Sequence, residues 1–285
     1  MTTSPLRLAL IGCGGFAGAH CRRLRERDDV RIVALADQRA EQIDSLIGRR
    51  LAEYSPEPAH YTDCAELFAT EQLDAVMIVT PHSTHRELVE QALAADCHVL
   101  VEKPIAVTTA EAQRMLTLAS ERQRLLLTCY NPPFLPVMQR LRELIVEQPY
   151  GPLRLVSASI NQDWARMTDN SWRQTHDQGP GQIGDSGAHL LAGVMWAVGR
   201  PVQEVSSFFH KRGRPVPIDG VANLRFDGEV LASLAIGGSG RTESSIATFV
   251  FDSGLVEVDV WLGKWYRLRD ADGALIDEYS TAAEP

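Results

Sequence analysis

Leu6-Arg-Leu-Ala-Leu-Ile11-Gly12-Cys-Gly14-Gly15-Phe16-Ala17-Gly18 is the stretch on which the fold turns. Residues 6–11 are a short, mainly apolar run that reads as a strand, and the run after Gly18 reads as a helix to about residue 27. Between them stands G-x-G-x-x-A. Gly12 permits the tight turn, Gly14 lets a pyrophosphate approach the backbone, and Ala17 lets helix and strand pack closely, with Gly15 and Phe16 completing the loop. Free N–H groups at the helix start would receive the phosphates. The next strand, residues 31–36, ends at Asp37, 25 residues after Gly12. That is close to the spacing of an acid that binds adenosine ribose hydroxyls, which favours NAD because a carboxylate repels a 2′-phosphate. Arg39 keeps NADP open. Asp37 can equally be read as a cap for a helix over residues 39–53.

The alternation continues downstream. Residues 63–70, 84–95 and 108–122 read as helices, and 75–80, 99–101 and 125–129 as continuous apolar strands. This pattern predicts an α/β fold with a doubly wound parallel sheet. Ligands of such sheets collect beyond the C-terminal strand ends, where Thr80, Pro81, Glu102, Lys103 and Tyr130 fall. A lysine between an apolar strand and Pro104 is stiffly held and partly desolvated, which suits proton transfer; the plain alternative is a surface lysine beside a turn.

After Gly151-Pro152 the period changes to two. Residues 153–160, 202–210, 221–226, 230–236, 246–251 and 255–260 alternate, with Asp227-Gly228, Asp252-Ser-Gly254 and Asp272-Gly273 as hairpin turns. This half is expected to hold a largely antiparallel sheet. Residues 161–177 are polar and aromatic and read as a substrate-side loop containing Trp164, Arg166, Trp172, Arg173 and His176. The two tryptophans can stack on a sugar ring or anchor a core.

The segment Gly179-Pro-Gly181-Gln-Ile-Gly184-Asp185-Ser-Gly187-Ala-His189 carries four glycines and precedes an apolar helix that Gly199 stops. If the helix begins near Asp185, then Asp185 and His189 lie four apart on one face, and the carboxylate can orient a histidine general base. The plainer reading makes Asp185 an N-cap and His189 a buried, hydrogen-bonded ring.

Composition narrows the class. At 285 residues two domains fit better than one, and 45 % hydrophobic with 23 % charged residues is ordinary for a soluble protein. Net charge −9 without a basic run argues against nucleic acid or an anionic membrane as partner. No apolar run approaches the roughly 20 residues that span a bilayer, and no secretory leader is read at the N-terminus. Five cysteines without CxxC spacing read as reduced thiols of a cytoplasmic protein.

Taken together, the motifs resemble the Gfo/Idh/MocA oxidoreductases. The matching pieces are Gly12-x-Gly14, Thr80-Pro81-x-x-x-His85, Glu102-Lys103-Pro104, Tyr130-Asn131 with Phe134 and Pro136, Trp172-Arg173, and Gly181-x-x-x-Asp185-x-Gly187-x-His189. The resemblance implies a Rossmann domain over residues 1–130. It also implies a substrate-binding and oligomerisation α/β domain over 131–285, with an open-faced, largely antiparallel sheet and a shortened C-terminus. The active site would lie in the crevice between the domains. It implies NAD or NADP as cofactor, held by Gly12, Gly14, Gly15, Phe16, Ala17, Asp37, Arg39, Thr80, Pro81, His85, Glu102 and Lys103. A small-molecule sugar, polyol or nucleotide-sugar would meet Tyr130, Trp164, Trp172, Arg173, Asp185 and His189.

In that reading Lys103, Asp185 and His189 are catalytic. His189 takes a hydroxyl proton, Lys103 stabilises the oxygen, and Asp185 orients substrate and His189. Ala192 and Pro133 depart from the family pattern, which has Asp and Arg there. A homodimer or homotetramer is expected. Two other readings stand beside it: a dinucleotide-binding sensor without turnover, and a metal enzyme using His176, Asp185 and His189.

Overall fold

The computed structural model describes residues 4–175 and 179–281. The chain divides into two units, Met1–Cys129 and Tyr130–Pro285.

The first unit runs β1 (Leu6–Ile11), α1 (Ala17–Leu24), β2 (Val30–Ala36), α2 (Ala40–Leu46), β3 (Ala59–Tyr61), α3 (Cys64–Thr70), β4 (Ala75–Ile78), α4 (His85–Ala94), β5 (His98–Val101), α5 (Thr109–Glu121) and β6 (Leu126–Thr128). The six strands are all parallel, in the order β3-β2-β1-β4-β5-β6. The order reverses between β1 and β4, which places the switch point of this Rossmann sheet at the glycine turn after β1. Along β1, Ala9 and Ile11 face one buried cluster while Leu8 and Leu10 face another. Period-2 alternation with both faces covered explains why these strands read as unbroken apolar runs. Each fully buried Leu or Ile here contributes about 1.5–3 kcal/mol. Thr108 starts α5 with a reciprocal capping box to Glu111, and Asp63 caps α3 through the Ala65 N–H. The helix expected over residues 39–53 is α2 followed by a π-helical turn at Ile47–Leu51.

The second unit runs α6 (Pro136–Glu147), β7 (Leu153–Asn161), α7 (Trp164–Met167), α8 (Gly181–Asp185), α9 (Gly187–Val198), β8 (Val202–His210), β9 (Asp219–Phe226), β10 (Leu231–Gly237), β11 (Ser244–Phe251), β12 (Gly254–Val258), β13 (Trp265–Asp270) and β14 (Leu275–Ser280). Its sheet order is β14-β13-β12-β11-β7-β10-β9-β8, antiparallel except where β7 pairs with β10. One face packs on α6 and α9, with Val156, Leu234 and Phe249 against Met138, Leu141, Leu190 and Val194 in one core. The opposite face is open. Phe208, Val221, Ala235, Ser159 and Ile246 are register partners in a row across five strands, and Phe208, Val221 and Ile246 are exposed. No helix among the described residues is long and apolar enough to cross a membrane.

Candidate active site

In the first unit the backbone builds the site. Gly12 sits at φ +93°, and a Cβ there would lie 2.3 Å from the Val79 carbonyl oxygen. Only glycine fits, so the turn can close against β4. Gly14 and Gly15 are the reverse case: a Cβ on either would meet no atom within 4 Å. Their backbone faces open space, and α1 has no acidic residue in its first turn. Both features fit a dinucleotide pyrophosphate at the helix start.

Asp37, at the end of β2, accepts the Cys13 N–H at 2.9 Å on Oδ2 and the Arg39 N–H at 3.0 Å on Oδ1. The carboxylate is thereby locked to the glycine turn, and each oxygen keeps acceptor capacity for a ribose hydroxyl. Arg39 itself is exposed.

At the ends of β4 and β5 the picture is mixed. Thr80 accepts from the Thr84 hydroxyl at 2.7 Å, and the Pro81 carbonyl accepts it at 2.8 Å. His85 is fully buried, with Nδ1 2.9 Å from the Pro104 carbonyl and Nε2 3.1 Å from the Thr80 carbonyl. Burial lowers its pKa from the ordinary value. The neutral ring carries one N–H and so donates to one of these two carbonyls, while the position of both nitrogens makes His85 a brace between the loop after β4 and the loop after β5. Lys103 follows Glu102 just beyond β5 and is half-buried. Its N–H donates to Glu102 Oε2 at 3.1 Å, while Glu102 Oε1 accepts from His20 Nε2 at 2.7 Å. His20, on α1, carried no sequence signal that singled it out.

In the second unit side chains build the site. The helical run breaks at Ser186, so Asp185 ends α8 and His189 belongs to α9. Asp185 is not the N-cap of α9; that position is Ser186, without a side-chain cap bond. Asp185 is buried, and its Oδ2 accepts the Trp164 indole N–H at 2.9 Å and lies 3.3 Å from Arg173 Nε. The Arg173 guanidinium stacks on the Trp172 ring at 4.4 Å. Trp164 is itself buried against Val216 and Ile218. Its indole N–H is thus spent on holding Asp185.

His189 is half-buried, with Nδ1 3.2 Å from Asn131 Oδ1. Asn131 in turn donates from Nδ2 to the Trp261 carbonyl at 2.6 Å. That bond fixes which way the amide faces, so Asn131 presents its oxygen to the ring and His189 Nδ1 must carry the proton. In its neutral form such a ring carries its lone pair on Nε2, the form a general base needs. Tyr130 meets the His189 ring edge-on at 6.3 Å and Trp261 lies tilted at 5.7 Å, which sets the ring plane. The roles of Asn131 as orienter and of Trp261 were not read from the sequence, because the partners lie 58 and 130 residues apart. His176 lies outside the described residues. A His/Cys/carboxylate grouping close enough to hold an ion among the described residues is His20, Glu102 and Cys129.

Comparison with known proteins decides the family. The description "Oxidoreductase family, NAD-binding Rossmann fold" matches residues 6–130, and the GFO/IDH/MocA C-terminal domain matches residues 138–256. The chain belongs to the Gfo/Idh/MocA oxidoreductase family. D-glucoside 3-dehydrogenase of Escherichia coli (strain K12) is 30 % identical over 207 residues, 70 % of this Gfo/Idh/MocA chain and 56 % of that protein. Myo-inositol 2-dehydrogenase of Thermotoga maritima is 25 % identical over 259 residues, 89 % of this chain and 67 % of that one. The WlbA dehydrogenase from Bordetella pertussis, solved with NADH and UDP-GlcNAcA, shares the fold. It has a TM-score of 0.82 and 20 % identity, covering 99 % of this chain and 84 % of that one. Against several curated relatives this family member spans just over half their length, 56–59 %.

Proposed function

We propose that this chain is an NAD(P)-dependent oxidoreductase that moves a hydride between nicotinamide and the carbinol or keto carbon of a sugar, polyol or nucleotide-sugar. The observation that carries the reading is the tautomer lock on His189. A histidine with Nδ1–H held by Asn131 presents a basic Nε2, which is the atom a dehydrogenase needs at a substrate hydroxyl.

In this proposal Gly12, Gly14, Gly15, Phe16 and Ala17 hold the pyrophosphate and Asp37 the adenosine ribose, favouring NAD over NADP. The chemistry the bound dinucleotide supplies is acceptance or donation of a hydride at the carbon bearing the substrate oxygen. His189 Nε2 takes the hydroxyl proton. The Lys103 ammonium steadies the oxygen as its charge grows. Asp185, held by Trp164 and Arg173, fixes a second substrate group and the local charge. Tyr130, Trp172 and Arg173 border the sugar. Relatives named for glucoside and inositol oxidation, and a neighbour bound to a nucleotide-sugar, support this substrate class.

The open row of Phe208, Val221 and Ile246 supports pairing with a second copy as homodimer or homotetramer. Five free thiols support a reducing, cytoplasmic setting.

The test is a screen with both cofactors against polyols, aldoses, glycosides and nucleotide-sugars, read at the nicotinamide absorbance. Turnover on one of them is expected. Cofactor binding with no turnover anywhere would contradict the enzyme reading in favour of a sensor.

A further inference from the structure

The strand register brings three polar side chains together beneath Lys103. β5 pairs with β6 so that the Cys129 N–H donates to the Val101 carbonyl at 2.9 Å, while the Glu102 N–H donates to the Ile78 carbonyl at 2.9 Å. This seats Cys129 beside Glu102 at the C-terminal end of the sheet. His20 reaches the same carboxylate from α1, its ring held edge-on by Phe16 at 5.2 Å. Since a carboxylate only accepts, His20 Nε2 is the donor.

Glu102 is 9 % exposed, and both its oxygens are engaged, one by His20 and the other by the Lys103 backbone N–H. The Cys129 thiol lies within 4.8 Å of the same carboxylate. Burial first, then the neighbouring Glu102, push that thiol up to about 12. It therefore stays a neutral thiol at any physiological pH. A buried carboxylate with two donors and a neutral thiol against it has little freedom to move, because each lost bond leaves charge uncompensated.

The geometry points to a positioning network in which His20 and Cys129, through the Glu102 carboxylate, fix the backbone of Lys103. The atoms of His20, Glu102 and Cys129 lie within 4.8 Å of one another, near enough for ion ligation. The 2.7 Å His20–Glu102 bond favours a hydrogen-bonded network over an ion cradle. The network also ties the helix that follows the glycine turn to the loop that carries Lys103. Its catalytic consequence rests on the dehydrogenase reading above; its structural consequence does not.

The experiment reads both. In the full chain without cofactor, exchange of the Lys103 amide proton is followed by NMR in wild type, His20→Ala and His20→Gln. In His20→Ala it is expected to rise about tenfold or more while the melting transition stays cooperative, and in His20→Gln, which keeps a side-chain N–H, to return most of the way. On a turned-over substrate, His20→Ala is expected to lose about tenfold in kcat with KM for NAD within about threefold, again recovered by His20→Gln. Should His20→Ala fail to fold, Cys129→Ala against Cys129→Ser reads the same carboxylate from the other side, with Ser expected to lose less.

Unchanged Lys103 exchange in a folded His20→Ala chain would overturn the network, as would His20→Gln no better than His20→Ala. Micromolar zinc binding abolished by His20→Ala would also overturn it, since the three atoms would then be ligands. If no substrate is turned over, the dehydrogenase reading fails while the exchange data still decide the network.

Discussion

At Gly12 the work is done by backbone within one turn. The φ of +93° and the carbonyl 2.3 Å from a would-be Cβ both involve a residue's own conformation and the neighbouring strand. At His189 it is done by side chains: Asn131 sets the proton, Trp261 sets Asn131, and Tyr130 sets the ring plane. The first device is local and survives any side-chain change that spares the glycines. The second is a chain of bonds that a single distant substitution can break.

The largest effect that would sharpen this contrast lies within the glycine turn. Gly12→Ala is expected to cost about 2–4 kcal/mol of stability, because both φ and the Val79 carbonyl oppose a Cβ. Gly14→Ala meets no chain atom and is expected to leave the denaturation midpoint within about 0.5 kcal/mol while weakening NAD binding about tenfold or more. Denaturant melts and NAD fluorescence titrations check both. Equal stability loss in the two variants would break the distinction between a glycine needed by the fold and one needed by the ligand.

In the side-chain region, Asn131→Ala is expected to lower kcat by about 10–100-fold with little change in cofactor affinity, since the ring loses its tautomer lock. Asn131→Asp puts a carboxylate against Nδ1, which favours the imidazolium. The acid limb of the pH–rate profile should therefore move to higher pH. A limb that does not move would separate Asn131 from the base.

A smaller effect is expected at Asp37. Asp37→Ala should shift the NAD over NADP preference about tenfold toward NADP, measured as the ratio of kcat/KM values; an unchanged ratio would remove the ribose role.

The smallest concerns the brace. Burial lowers the His85 pKa, so the folded state binds a proton less readily than the unfolded chain. The stability from the neutral ring is fully present above the ordinary histidine value of about 6.5 and is lost as pH falls through that value toward the lower folded one. His85→Asn should flatten this limb in urea melts between about pH 7 and pH 5.

The same contrast explains what the sequence disclosed. The glycine turn, Asp37 and the strand–helix alternation are local patterns, and their ranges were legible within about three residues. β3 was missed because three residues are too few to show a period, and β13 and β14 because Arg267, Asp270, Asp277 and Glu278 interrupt the alternation there. Asp185 and His189 were singled out, as were Trp164, Arg173 and Asn131, but their pairing was not, since they meet only through the fold. The break at Ser186 has helical φ and ψ, so no sequence breaker announced it. At Trp164 and His85 residue type tells only that a ring can bind a ligand; burial and hydrogen bonding tell what each already holds in the chain.

In the proposed function, the Lys103 ammonium and the His189 imidazole act on one substrate oxygen. A double-mutant cycle on kcat with Lys103→Met and His189→Ala tests it most directly. Each single variant is expected to lose about a thousandfold or more, and the double variant about as much as the worse single one, as for residues that act as a unit. Losses that multiply in the double variant would contradict the claim.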